Sequence, residues 1–186
     1  DITNEGLFSD PHYLGGIVFD ENIIRVNASV ENHEGRYNFT IAHEIGHHML
    51  HREQFLASRN AETPNIMCRE NKAKPLVERQ ADQFASALLM PREQVNRAVE
   101  KLHIPTGEIT AKALRVMASQ VIKSGGFTNV SNTAMANRLI TLGFARGVDF
   151  QTGRSIDMLR STDARGYSKT DRWLYKKIKT VFNFIR

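Results

Sequence analysis

The chain has 186 residues, 41% hydrophobic and 24% charged, long enough to bury a real core and too apolar for wholesale disorder. Ten of its 25 lysines and arginines but only four of its 20 acids lie between Phe144 and Arg186, so this tail carries +6 of the net +5 and the remainder −1; basicity is a property of the tail. No apolar run approaches the roughly 20 residues of a membrane helix.

The opening "DITNEGLFSD" has neither the basic start nor the apolar stretch of a signal peptide. A chain that begins with Asp rather than Met reads as trimmed. "GGIVFDENIIRVNASV" predicts two short strands, "GGIVF" and "NIIRVNAS", with a turn at "DEN". A helix is expected from near Gly35 to Asn38 through His51, its apolar positions Phe39, Ile41, Ala42, Ile45, Met49 and Leu50 mostly three or four apart. Residues 57–75 are polar, contain two prolines and read as a loop, with at most a short strand at "NIMCR". The single cysteine, Cys68, lies in this loop. It has no internal disulfide partner, reads as an inert thiol and favours a reducing, cytoplasmic compartment.

A second helix should run from about Leu76 to Met90 on the stripe Val77, Ala81, Phe84, Ala85, Leu88 and Leu89, ended by Pro91. "PREQVNRAVEKL" starts a third helix, with Pro91 in its first turn. "TAKALRVMASQVIKS" is a fourth, stopped by Gly125-Gly126, and "NVSNTAMANRLITLGF" supplies a fifth with a Ser or Asn N-cap. Two helices joined by a glycine-containing turn are similar to a helix-turn-helix. The tail ends in "KTDRWLYKKIKTVFNFIR", whose Trp173, Leu174, Ile178, Val181, Phe182 and Ile185 predict a basic amphipathic helix.

The chemistry concentrates in "IAHEIGHHMLH". His43 and His47 are four apart on a helix, so both imidazoles point to one side and reach one metal. Zinc suits two neutral imidazoles and makes its water acidic, and Glu44 of the H-E-x-x-H pattern then serves as general base. A catalytic zinc needs a third protein ligand. "ERQAD" offers Glu78 for that role and, one turn on, Asp82 to accept the second ring N–H of His43 or His47. Two histidines and a carboxylate also suit Mn2+ or Fe2+. His51 lies a further turn along the same side, as a cleft residue or a polar surface or cap group. His48 points elsewhere, to solvent.

"FTIAHEIGHHMLHRE" followed by "ERQADQFASALLMP" resembles the ImmA/IrrE family of bacterial and phage zinc metallopeptidases. "GGIVFDENIIRVN" looks like the strand pair ahead of that motif, and "NVSNTAMANRLITLGF" like the family's helix-turn-helix-like segment. The resemblance spans roughly Gly15 to Gly143. It implies an α+β fold, with a small zincin-like core of short antiparallel strands, the HExxH helix and a second ligand helix, followed by a helical helix-turn-helix-like segment. The corresponding division is 1–95 for the metallopeptidase core, 96–146 for the helical segment and 147–186 for the basic tail. The resemblance further implies zinc on His43, His47 and Glu78, Glu44 as general base, and a protein substrate of the helix-turn-helix repressor class, whose cleavage switches on prophage, mobile-element or stress genes. An N-terminal helix often precedes the strand pair in the family, and this chain is expected to lack it or to have lost it; nothing of the family is carried over to the basic tail after Gly147.

On this reading the substrate pairs as an extended strand along "IIRVNAS", and an oxyanion donor comes from Tyr37, His51 or His103. Two other readings compete. The helix-turn-helix-like segment and basic tail would suit a DNA-binding regulator, although Arg138 is the only strong base-reading group on the recognition helix. The same ligands would also hold a structural zinc in a non-catalytic interaction protein, but such a site has no use for Glu44.

Overall fold

The structure is a computed structural model and describes residues 1–58, 66–70, 76–104, 107–146 and 156–158. They are α+β and form two compact units, Asp1–Leu88 and a second that begins at Leu89.

The first unit is built on a sheet of β1 (Ile2–Thr3), β2 (Tyr13–Val18), β3 (Ile23–Asn27) and β4 (Ile66–Glu70), in the order β1-β3-β2-β4. The β-branched residues of β2 and β3 pair antiparallel, from Gly15 opposite Val26 to Val18 opposite Ile23. The strand conceivable at "NIMCR" is β4, antiparallel to the other side of β2. Ile17 and Val18 point to opposite faces of β2, yet both are buried, so the central strand is covered on both sides.

The first helix, α1 (Glu34–Ser58), packs on β2 and β3. It runs seven residues past the expected end at His51. Nothing in "REQFLAS" breaks a helix, and Phe55 rests on the buried Phe19 with ring centroids 4.8 Å apart. The second helix, α2 (Leu76–Leu89), buries Glu78, Ala81, Phe84 and Ala85.

The strand "IIRVNAS" is corrected in two ways. It ends at Asn27, because residues Ala28–Val30 turn into a short 3-10 helix capped by the Asn27 side chain, which accepts from Ser29 N. It is also not an open edge. β3 lies between β2 and β1, with Val26 N donating to Asp1 O at 2.8 Å and the Asp1 amino group donating to Ile24 O at 2.9 Å. Among the described residues the edges of this sheet are β1 and β4.

The second unit contains α3 (Arg92–Leu102), β5 (Gly107–Ile109), α4 (Ala111–Gly125), α5 (Asn132–Thr141), β6 (Ala145–Arg146) and β7 (Ile156–Met158). Leu114, Ala118, Val121, Met135, Leu139 and Phe144 are the centre of its core. Thr110 and Ser131 cap α4 and α5 by accepting from Ala113 N and Ala134 N, each at 3.1 Å. The α4–α5 pair is flanked by a small antiparallel sheet, β5-β7-β6, that periodicity could not reveal in strands of two or three residues. Arg138 is buried, and its Nε donates to Met90 O at 3.0 Å. The exposed side chains of α5 are Asn132, Thr133, Asn137 and Thr141, all uncharged. The one cation credited with reading bases is therefore part of the core. The predicted terminal amphipathic helix lies outside the described residues.

No helix among the described residues is long and apolar enough to cross a membrane.

Candidate metal centre

The face of α1 that goes deepest into the protein is polar. Thr40, His43, Glu44, His47 and His51 are all at most 4% exposed, and their spacing of three and four stacks them along one stripe. Most of the apolar positions that predicted the helix, Phe39, Ile41, Ile45, Met49 and Leu50, are only half-buried. Burying a polar stripe is costly unless its groups are partnered, so the arrangement of partners carries the meaning of the site.

Two glycines let the surrounding elements close on this stripe. A Cβ at Gly15 of β2 would sit 2.5 Å from Thr40 Cγ2 and 3.7 Å from Glu44 Oε1, so the bare backbone of β2 admits α1 and the Glu44 carboxylate. A Cβ at Gly46 would lie 3.2 Å from Ala81 Cα, Ala81 O and Phe84 Cβ. The glycine of "HEIGH" is therefore where α1 and α2 cross at close range, and that crossing carries Glu78 to the two histidines.

The three side chains converge. His43 Nε2 and His47 Nε2 are 3.0 Å apart. The Glu78 carboxylate straddles them, with Oε2 3.1 Å from His43 Nε2 and Oε1 3.1 Å from His47 Nε2. One ligand atom from each of the three residues falls within 4.8 Å of the others, and all three residues are buried. Asp82, one turn after Glu78 on α2, reaches the far side of His43, with Oδ1 3.0 Å from Nδ1. An ionised carboxylate only accepts, so His43 carries its proton on Nδ1 and turns the Nε2 lone pair towards His47 and Glu78.

Electrostatics favour a neutral His47 beside an ionised Glu78. Burial pulls the His47 imidazole below its ordinary range; the hydrogen bond to Glu78 opposes that pull without cancelling it. Burial pushes the Glu78 carboxyl up, but hydrogen bonds with the His43 and His47 rings, made in the metal-free protein while a proton sits on an Nε2, outweigh it and hold the group well below the usual carboxylate range; a cation in place of that proton would favour the same ionised carboxylate. Glu78 also sits in the first turn of α2, where the helix dipole favours an anion. Nitrogen lone pairs turned towards each other beside an anionic carboxylate form an arrangement that a divalent cation completes. The donor set fits a metal ion of the zinc type.

His51 is not the surface or cap group that was one of the two expectations for it. It is buried, and its ring is held between His47 Nδ1, 3.0 Å from its own Nδ1, and Gln80 Oε1, 3.0 Å from its Nε2. Both ring nitrogens are thus engaged with protein partners. Gln80 was not singled out in the sequence, because no spacing rule links it to a residue on another helix. His48 is half-buried rather than exposed, stacked on Phe19 with centroids 6.5 Å apart. Tyr37 is half-buried near the start of α1. His103 belongs to the second unit, where it is exposed, adopts the left-handed conformation that ends α3 and turns its Nδ1 to Lys101 O.

Helices that cross at a glycine thus bring together His43, His47 and Glu78, a buried group that could hold a metal ion. The family model described as the IrrE N-terminal-like domain, of a peptidase family, matches residues 4–122. The chain belongs to this peptidase family. No curated protein and no solved structure gives a significant match to it.

Proposed function

We propose that this protein is a zinc-dependent endopeptidase that acts in the cytoplasm on a helix-turn-helix transcriptional repressor, so that cleavage derepresses prophage, mobile-element or stress genes. The observation that carries the enzymatic part is the convergence of two buried imidazole nitrogens and one buried carboxylate, with a second buried carboxylate, Glu44, directly after His43 in the chain. The substrate class is supported by the family resemblance.

His43, His47 and Glu78 would hold the ion, which supplies Lewis acidity towards a scissile carbonyl and towards water. Glu44 follows His43 directly and occupies the same buried face. It takes the proton of the attacking water and returns it to the leaving amine. Asp82 keeps His43 in the tautomer whose lone pair faces the ion. Arg138 being occupied in the core, α5 contributes an uncharged surface, which argues for contact with protein rather than with phosphates.

The test is incubation of the zinc-loaded protein with a host extract containing the neighbouring regulators, with new N-termini mapped by mass spectrometry. A cut inside a helix-turn-helix repressor, absent with Glu44→Gln, is the expected result. Equal cleavage by Glu44→Gln would remove Glu44 as the base, and cuts confined to other proteins would remove the substrate class.

A further inference from the structure

We infer that Gln80 and His51 are positioning residues for the metal ligand His47: together they fix which nitrogen of His47 carries the proton and so aim its Nε2 lone pair at the ion. The inference deepens the proposed function and rests on its metal-ligand reading.

Three observations support it. His47 is completely buried, so water cannot choose its tautomer. Its Nδ1 faces the Nδ1 of His51 at 3.0 Å, and His51 in turn faces Gln80 Oε1 through Nε2 at 3.0 Å. Finally, this chain of contacts has a direction. An amide oxygen only accepts. His51 Nε2 must then carry a proton, which leaves its Nδ1 as a lone pair. That lone pair requires a donor opposite it, so His47 is protonated on Nδ1 and its Nε2 is bare. Turning the Gln80 amide over would reverse every bond and place a proton on His47 Nε2, where the ion would bind. Metal binding and this orientation of Gln80 therefore imply each other. His43 reaches the same state through a single carboxylate, Asp82. The two ligands are thus served by different devices: an anion on one side, and a neutral relay from α2 back to α1 on the other.

The experiment compares wild type with Gln80→Met, Gln80→Glu and His51→Phe. Gln80→Met keeps the side-chain length and removes the acceptor. Gln80→Glu keeps an acceptor that cannot turn over. Zinc affinity is measured by competition with a chromophoric chelator, and circular dichroism checks folding. Loss of an outer partner of a metal-bound histidine typically weakens binding about 10–100-fold. That loss is expected for Gln80→Met and His51→Phe, while Gln80→Glu stays within a few-fold of wild type. A purely space-filling role would leave Gln80→Met unchanged.

The second readout is long-range proton–nitrogen correlation on the zinc-loaded, 15N-histidine-labelled protein. His51 should carry its proton on Nε2. A proton on His51 Nδ1, or wild-type zinc affinity in Gln80→Met, would overturn the inference while leaving the metal site standing. Failure of the wild-type protein to bind zinc at all would instead remove the reading beneath it.

Discussion

Replacing Gly46 by alanine inserts a methyl group at the α1–α2 crossing. The added carbon would meet Ala81 Cα, Ala81 O and Phe84 Cβ, each at 3.2 Å, against about 3.5–4.0 Å for an ordinary carbon–carbon contact. Two of the three atoms are helix backbone and cannot rotate away. The helices must therefore separate by a few tenths of an ångström. Overpacking of this kind costs about 1–3 kcal/mol, and the better helix propensity of alanine returns up to about 1 kcal/mol. A net loss of about 1 kcal/mol follows, or roughly 2–4 °C in melting temperature for a chain of this size. The same separation moves Glu78 away from His43 and His47, so zinc affinity should fall together with stability. Thermal unfolding of the metal-free protein and a zinc competition titration measure the two effects. A Gly46→Ala protein that melts higher than wild type and binds zinc equally well would refute the argument that this crossing is rigid and sets the donor geometry.

Acid should destabilise the metal-free protein. His47 and Glu78 both have protonation equilibria pulled below their ordinary values, so the unfolded chain binds more protons than the folded one as pH falls. Their contribution is complete above the ordinary histidine value of about 6.5 and is lost on acidification, through His47 first and Glu78 at lower pH; a melting temperature that rises over that range would contradict the sign. Arg138→Ala should cost about 1.5–3 kcal/mol, the usual worth of a hydrogen bond from a charged donor, measured by denaturant unfolding. An unchanged stability would mean that Arg138 is not a core group.

How much of this was legible beforehand depends on how local each signal is. "HEIGH" places His43 and His47 on one face of a helix through the helical repeat alone, and "ERQAD" places Glu78 one turn before Asp82 in the same way. These relations lie within single helices. The reach of His51 to Gln80 depends on the register between two helices that meet at Gly46, and no spacing in the chain encodes it. Periodicity also pointed to the wrong depth in α1. It counts apolar residues, whereas the deepest stripe of that helix is Thr40, His43, Glu44, His47 and His51. The edge assigned to "IIRVNAS" failed for a related reason, because the pairing of Ile2–Thr3 with Val26–Asn27 is a long-range contact made by a two-residue strand.

The most direct test of the central claim, that His43, His47 and Glu78 together hold one metal ion, is zinc content after purification and extensive dialysis, compared across wild type, Glu44→Gln, His43→Ala, His47→Ala and Glu78→Ala. Stoichiometric zinc in wild type and Glu44→Gln, with little or none in the other three, is the predicted result. Full zinc retention in any of the three ligand variants would contradict the account.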